Sequence, residues 1–339
     1  MSTSRTPDGA SWHEVLGTHV GPEFQRLRTL CRDALVGSTA LDFVTYYTGG
    51  QFDFSIDRLD EPPVEQDALG GGETRRAELQ RFGRGLGFTV MRLDELLGEV
   101  RSGRLIRVVL QTEHGAAFVA SVVPMEHVVG LALDVLPAHG AVPALDVEVQ
   151  AADRAVSFLA TQLRSLLALN SQNPGGFETA PREPAPAAEQ AGGALVTHVD
   201  GSARGSKLEQ LCTGAVHPAD LHLVALYSTG KVELLADCFD HESLRPFFTH
   251  MHPSARRAFY EGFGRELDAL VLRLNSATNQ VLGGLLHRVV LDVEQGAIYC
   301  YRLRTGVYLL GVTLLQKQVH AADVKMAELA AAAHDLPGG

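Results

Sequence analysis

Apolar positions along this chain change period several times, and the changes come in a fixed order. Leu27, Leu30, Cys31 and Ala34 recur at steps of three and four and stop near Gly37, which predicts a helix. Leu41, Phe43 and Thr45, then Phe52, Phe54 and Ile56, alternate around Thr48-Gly49-Gly50, the pattern of a β-hairpin. Leu79, Phe82, Leu86, Val90, Leu93, Leu97 and Val100 return to helical spacing and predict one long helix. Beyond Gly103 strands are expected over 105–111, 117–122 and 127–133, with a turn at Glu113-His114-Gly115. Val156, Leu159, Ala160, Leu163 and Leu167 then form the apolar stripe of a closing helix.

The same order returns in the second half: Leu208 to Ala215 as helix, a hairpin turning at Ser228-Thr229-Gly230-Lys231, then a long stripe from Tyr260 to Val281. Strands follow over 286–293, 298–303 and 307–314, then a helix through Val319, Ala322, Met326 and Leu329. At an offset of 181, residues 75–116 match 256–297 without a gap, and 20 of the 42 positions are identical. Composition alone supplies about three, so the chain is read as an internal duplication. Upstream the match slips by one residue, and the first copy carries an insertion over 134–150 before ADRAVSFLA rejoins ADVKMAELA.

Residues 170–206 hold Pro174, Pro181, Pro184 and Pro186 among Ala, Gly and Glu, too little apolar surface to order themselves. The expected division is a first lobe over 1–169, a linker over 170–206 and a second lobe over 207–339. Each lobe reads α-β-β-α-β-β-β-α. The fold class is α/β in the α+β sense, a five-stranded antiparallel sheet with flanking helices, because hairpins join strands locally and the long helix covers the crossover.

Element order, unit size, the hairpin followed by a long helix, and the R-V-V-L-x-x-E-x-G-A strand and turn together resemble the Roadblock / dynein light chain family, related to longin and profilin-like folds. The resemblance covers about 130 residues of each half. It implies dimeric pairing, with the first strand after the long helix adding edge to edge and the long helices side by side. For this chain it places Leu105, Arg107 and Val109 against Leu286, Arg288 and Val290, so that one polypeptide builds the pair. Such pairing satisfies edge donors and acceptors that otherwise invite aggregation. Bacterial members commonly regulate or scaffold small Ras-like GTPases, which makes such a GTPase the implied partner.

Gly83 and Gly264 stand inside the long helices, where glycine costs about 0.5–1 kcal/mol relative to alanine. A close approach of helix to helix is the expected compensation. Arg84 and Arg265, one residue on, are candidates for a cationic face toward an acidic partner, although exposed helix arginines more often pair with nearby Glu or Asp. Arg75, Arg76, Arg256 and Arg257 lie at helix starts, where the helix dipole disfavours positive charge. That conflict marks them as candidate partner contacts.

Composition narrows the function. A net charge of −11 argues against nucleic acid as partner. The chain shows no signal-peptide core and no apolar run long enough to span a bilayer, so a cytoplasmic location is expected. Cys31, Cys212, Cys238 and Cys300 form no C-x-x-C pair and read as small buried hydrophobes. His241, His250 and His252 invite a metal site, but no Asp or Cys stands at matching spacing and the first copy has no equivalent. Neither G-x-S-x-G nor a G-x-x-x-x-G-K-[ST] phosphate loop is present, and Gly70-Gly71-Gly72 reads as a loop. Catalytic residues, a metal and a cofactor are therefore not expected.

The leading expectation is a non-catalytic regulator or scaffold of a small GTPase that uses the paired long helices. The alternatives are a self-assembling scaffold joined through the remaining sheet edges, and a small-molecule sensor using the divergent segments 57–73 and 134–150.

Overall fold

Strand pairing runs without a break through both halves of the chain. The computed structural model describes residues 4–5, 11–60, 74–135, 146–178, 195–199, 205–334 and 336. The first half contains β1 (Ser4–Arg5), β2 (Ser11–Leu16), α1 (Gln25–Gly37), β3 (Phe43–Thr48), β4 (Gln51–Asp57), α2 (Arg75–Leu97), β5 (Leu105–Thr112), β6 (Ala116–Val123), β7 (Glu126–Ala132) and α3 (Val147–Leu166). The second contains β8 (Leu195–Val199), α4 (Lys207–Ala215), β9 (Leu223–Ser228), β10 (Lys231–Asp237), α5 (Pro253–Arg265), α6 (Leu267–Leu282), β11 (Leu286–Val293), β12 (Gly296–Arg304), β13 (Val307–Thr313) and α7 (Val319–His334).

Among the described residues, 13 strands form one antiparallel sheet in the order β1-β2-β4-β3-β7-β6-β5-β11-β12-β13-β9-β10-β8. The two halves meet at β5 and β11. Helices α1, α3, α4 and α7 cover one face and α2, α5 and α6 the other, each over an apolar core that extends across both lobes. The period-two strands explain this double burial. Val108 and Leu110 enter the core under α2 and α6, while Val109 between them enters the opposite core.

Local chemistry sets the helix ends. Thr74 Oγ1 accepts from the Ala77 amide (3.2 Å) at the start of α2, and Pro253 occupies the first turn of α5 behind His252. The long helix of the second lobe is interrupted at Glu266, between α5 and α6. No helix among the described residues is long and apolar enough to cross a membrane.

Three expectations need correction. Each lobe has more strands than five ahead of and around its helices: β2 pairs with β4 and β8 pairs with β10, and the first lobe adds the short β1 against β2. Strands near the rim of a sheet need only a short backbone match, and these carry no long alternating run. The linker is also ordered at both ends, because β8 falls inside 170–206 and residues 173–177 dock against the sheet.

The third correction concerns Gly83 and Gly264, whose close neighbours are tyrosines of their own lobe's sheet. A Cβ at Gly83 would lie 2.5 Å from Tyr47 Oη, and one at Gly264 would overlap the Tyr227 ring. Tyr47 Oη donates to the Gln80 carbonyl (2.5 Å) and Tyr227 Oη to the Tyr260 carbonyl (3.2 Å). Removing the Cβ lets the ring reach the helix backbone, which is what the missing side chain is for. Most of the 134–150 insertion, Gly70-Gly71-Gly72, and Pro181, Pro184 and Pro186 lie outside the described residues.

Candidate functional site

The seam between the halves has a definite register. Val109 stands opposite Val290, Val108 opposite Leu291 and Leu110 opposite Val289. An offset of 181 converts each flanking pair into the other, so an approximate two-fold axis passes between the two valines. All eight residues of each strand are buried.

Next to the valines, Arg107 and Arg288 enter the core on the α3 and α7 side. Arg107 Nη1 reaches both oxygens of Asp153 at 2.6 Å, and its Nε reaches Asp292 Oδ2 at 3.0 Å. Arg288 pairs with both oxygens of Asp323 and donates to Gln111 Oε1 at 3.0 Å. Tyr301 Oη donates to Asp323 Oδ1 at 2.7 Å. Asp153 and Asp323 occupy the same place in the repeated A-D motif, so partner and arginine repeat together. Desolvation of the buried ions offsets most of the attraction within these pairs.

The two sides of the axis differ at Gln111 and Asp292. Asp292 also accepts from the Gly175 amide (2.6 Å) and Gln316 Nε2 (2.9 Å). Burial lifts its carboxyl above the ordinary range, while Arg107 and the Gly175 amide pull it back. Phe177, two residues on, lies against the guanidinium groups of Arg107 and Arg154, at 5.8 and 5.2 Å, and against the His320 ring. The ordered start of the linker thus crosses from the first lobe to the second.

The helix-start arginines divide into two kinds, and neither faces outward. Arg76 is buried and pairs with Asp57 at 2.7 and 2.8 Å, while Arg257 pairs with Asp237 at 2.5 and 2.7 Å and with Asp240 at 3.1 Å. Both aspartates occupy the last position of the second hairpin strand. That repeated Asp was the available signal for this pair. Arg75 donates to the Val281 carbonyl, and Arg256 Nη2 to the Val100 carbonyl at 2.9 Å. Val100 and Val281 close the long helices of the facing lobes, so each arginine sits at the carbonyl end of the other lobe's helix, where positive charge is favoured. The conflict with the dipole of their own helix is resolved by antiparallel pairing.

Arg84 and Arg265 are exposed, and Arg265 pairs with Glu261 on its own helix. With them the helices present Phe88, 51% exposed, and Leu272, 70% exposed, together with Leu96, Arg92 and Arg273. Arg84 and Arg92 match Arg265 and Arg273 at the offset of 181. This face combines apolar centres with basic neighbours, a composition suited to a protein partner.

Elsewhere chemistry is sparse. No group of three or more His, Cys, Asp or Glu suited to a metal occurs among the described residues. His241 and His252 instead accept from the amides of Ser243 and Ser254 (both 3.3 Å) at the starts of helical turns. All four cysteines are buried, and burial pushes the Cys212 thiol up to about 12. A void of about 10 Å³ beneath α5 and α6 holds one water at most. An open groove of about 470 Å³ runs between Gly37 at the end of α1 and Phe158 on α3.

No protein-family model matches this sequence, nor does any curated protein. Among solved structures, the chain is similar to a Roadblock/LC7 domain from Streptomyces avermitilis, at 18% identity and a TM-score of 0.26, over 37% of this chain and 92% of that one. It is also similar to MglB in a tetrameric arrangement, at 17% identity and a TM-score of 0.29, over 45% of this chain and 98% of that one.

Proposed function

We propose that this chain is a non-catalytic, protein-binding module that regulates or scaffolds a small Ras-like GTPase through the outer face of its paired long helices. The observation that carries this reading is the exposure of Phe88 and Leu272 on helices that the β5–β11 junction sets side by side. Exposed large apolar side chains amid arginines suit a protein surface better than a small ligand. The class of partner comes from the resemblance of the repeated unit to Roadblock units. In this reading Arg84 and Arg265 remain on the contact face, whereas Arg75, Arg76, Arg256 and Arg257 serve the lobes themselves.

The test is capture of P-loop GTPases from the source cell by the full chain, loaded with GDP or with a non-hydrolysable GTP analogue. Phe88→Asp and Leu272→Asp should each lower retention at least tenfold while leaving the unfolding midpoint nearly unchanged. Retention of no GTPase in either nucleotide state would overturn the proposal. A second reading, self-assembly, draws on β8, which among the described residues pairs in the sheet with β10 alone and ends the strand order. Light scattering that grows with concentration, and persists in Phe88→Asp, would favour that reading.

A further inference from the structure

Arg75 and Arg256 do the same work across the seam, but their remaining donors differ. Arg75 Nη1 is taken by Glu78 Oε2 at 2.7 Å, one turn along α2. At the offset of 181 the residue matching Glu78 is Phe259, so the second lobe supplies no carboxylate there. Arg256 is 2% exposed, and its Nε and Nη1 are buried without a hydrogen-bond partner among the described residues. Nη1 is the very nitrogen that Arg75 gives to Glu78.

Two further groups complete the cluster. Ser102, from the first lobe, is buried and its Oγ also lacks a partner among the described residues. Tyr260 lies one turn beyond Arg256 on the same helix. The ring of Phe248, half-buried on the surface turn 242–248, covers the guanidinium at 5.2 Å. The unmet groups, Nε and Nη1 of Arg256 and Oγ of Ser102, are all able to donate, and a guanidinium does not escape its charge by losing a proton. A buried positive charge facing spare donors calls for an anion.

We infer that Arg256, Ser102 and Tyr260 form a binding site for a carboxylate group, entered past Phe248 and equivalent to the place Glu78 fills in the first lobe. The carboxylate has two sources, a small free acid or an acidic side chain of a bound protein. The site is independent of the helix face proposed for the GTPase, and its test uses no GTPase.

Thermal unfolding of the full chain is followed in formate, in hexaglutamate peptide and in chloride, at equal ionic strength. Formate should raise Tm saturably, by roughly 2 °C or more at tenfold excess over Kd. A rise with hexaglutamate alone would assign the site to a protein side chain. Phe259→Glu restores the carboxylate within the chain, and should raise Tm in chloride and abolish the response to either probe. Arg256→Gln should abolish the response as well. No saturable response to either probe, or a response that persists in Phe259→Glu, would overturn the inference.

Discussion

Val109 and Val290 face each other at the junction of β5 and β11, and the pairs on either side of them interchange under the sequence offset that relates the two halves. The seam is therefore centred on two matched residues, both buried. Val290→Asp sets an unpaired carboxylate into that centre and should cost at least about 3 kcal/mol. Val109→Asp should cost a similar amount. Urea unfolding checks this, and an unchanged midpoint in either variant would show that the seam is not dry.

The two buried arginines should differ in their tolerance. Arg107 has two carboxylates, whereas Arg288 has Asp323 and the neutral amide of Gln111. Asp323→Ala leaves a buried cation without a counter-charge and should cost about 3–5 kcal/mol. Asp153→Ala should cost clearly less, because Asp292 remains at 3.0 Å. Equal losses in guanidinium unfolding would contradict this arrangement.

Glycine in the long helices is held there by tyrosine. Gly83→Ala and Gly264→Ala should each destabilise by about 1–3 kcal/mol, although alanine favours helix. Tyr47→Phe should rescue part of the Gly83→Ala loss, since the nearest atom there is the hydroxyl. Tyr227→Phe should rescue little, because ring carbons crowd Gly264 as closely as the oxygen does. The unfolding midpoints of the two double mutants, set against those of the single mutants, decide between these outcomes.

Acid should weaken the fold before any surface pair is lost. Burial pushes His127 and His222 down to about 4 and His287 down to about 3. In the unfolded chain a histidine titrates near 6.5, so below that pH the unfolded state takes protons that the folded state refuses. Stability therefore falls as pH drops through 6.5 and goes on falling toward 4. Asp42 and Asp292, whose carboxyls burial raises, act in the opposite sense. His287→Ile isolates one histidine, since Ile106 is the matching residue of the first lobe. It should remove roughly 1.4 kcal/mol per pH unit of slope near pH 5. An unaltered slope in a pH series of unfolding midpoints would mean that His287 is not buried neutral.

Elements were legible wherever one period ran long. The stripe from Leu79 to Val100 and the alternation of each hairpin gave helix and strand directly, because side-chain spacing is a local property of the backbone. The outer strands β1, β2 and β8 were not legible. The last is five residues long and sits in a segment whose average composition is that of a linker. The arginines failed for a different reason. Arg76 and Arg257 were visible as repeats, yet their partners Asp57 and Asp237 lie about twenty residues upstream, and the repeat of those aspartates carried the missing half of the pair.

The sequence by itself determined the period of the long elements and the offset that relates the halves, while the strand on which they meet came from the family resemblance. Tertiary structure decided which charges are free. Arg75 and Arg84 are alike in sequence, but Arg75 is spent on a carbonyl 206 positions away and Arg84 stays at the surface. Gly83 and Gly264 likewise made room for a tyrosine of the sheet rather than for another helix. Burial and pairing depend on what the remote chain brings alongside, and local spacing carries no record of that.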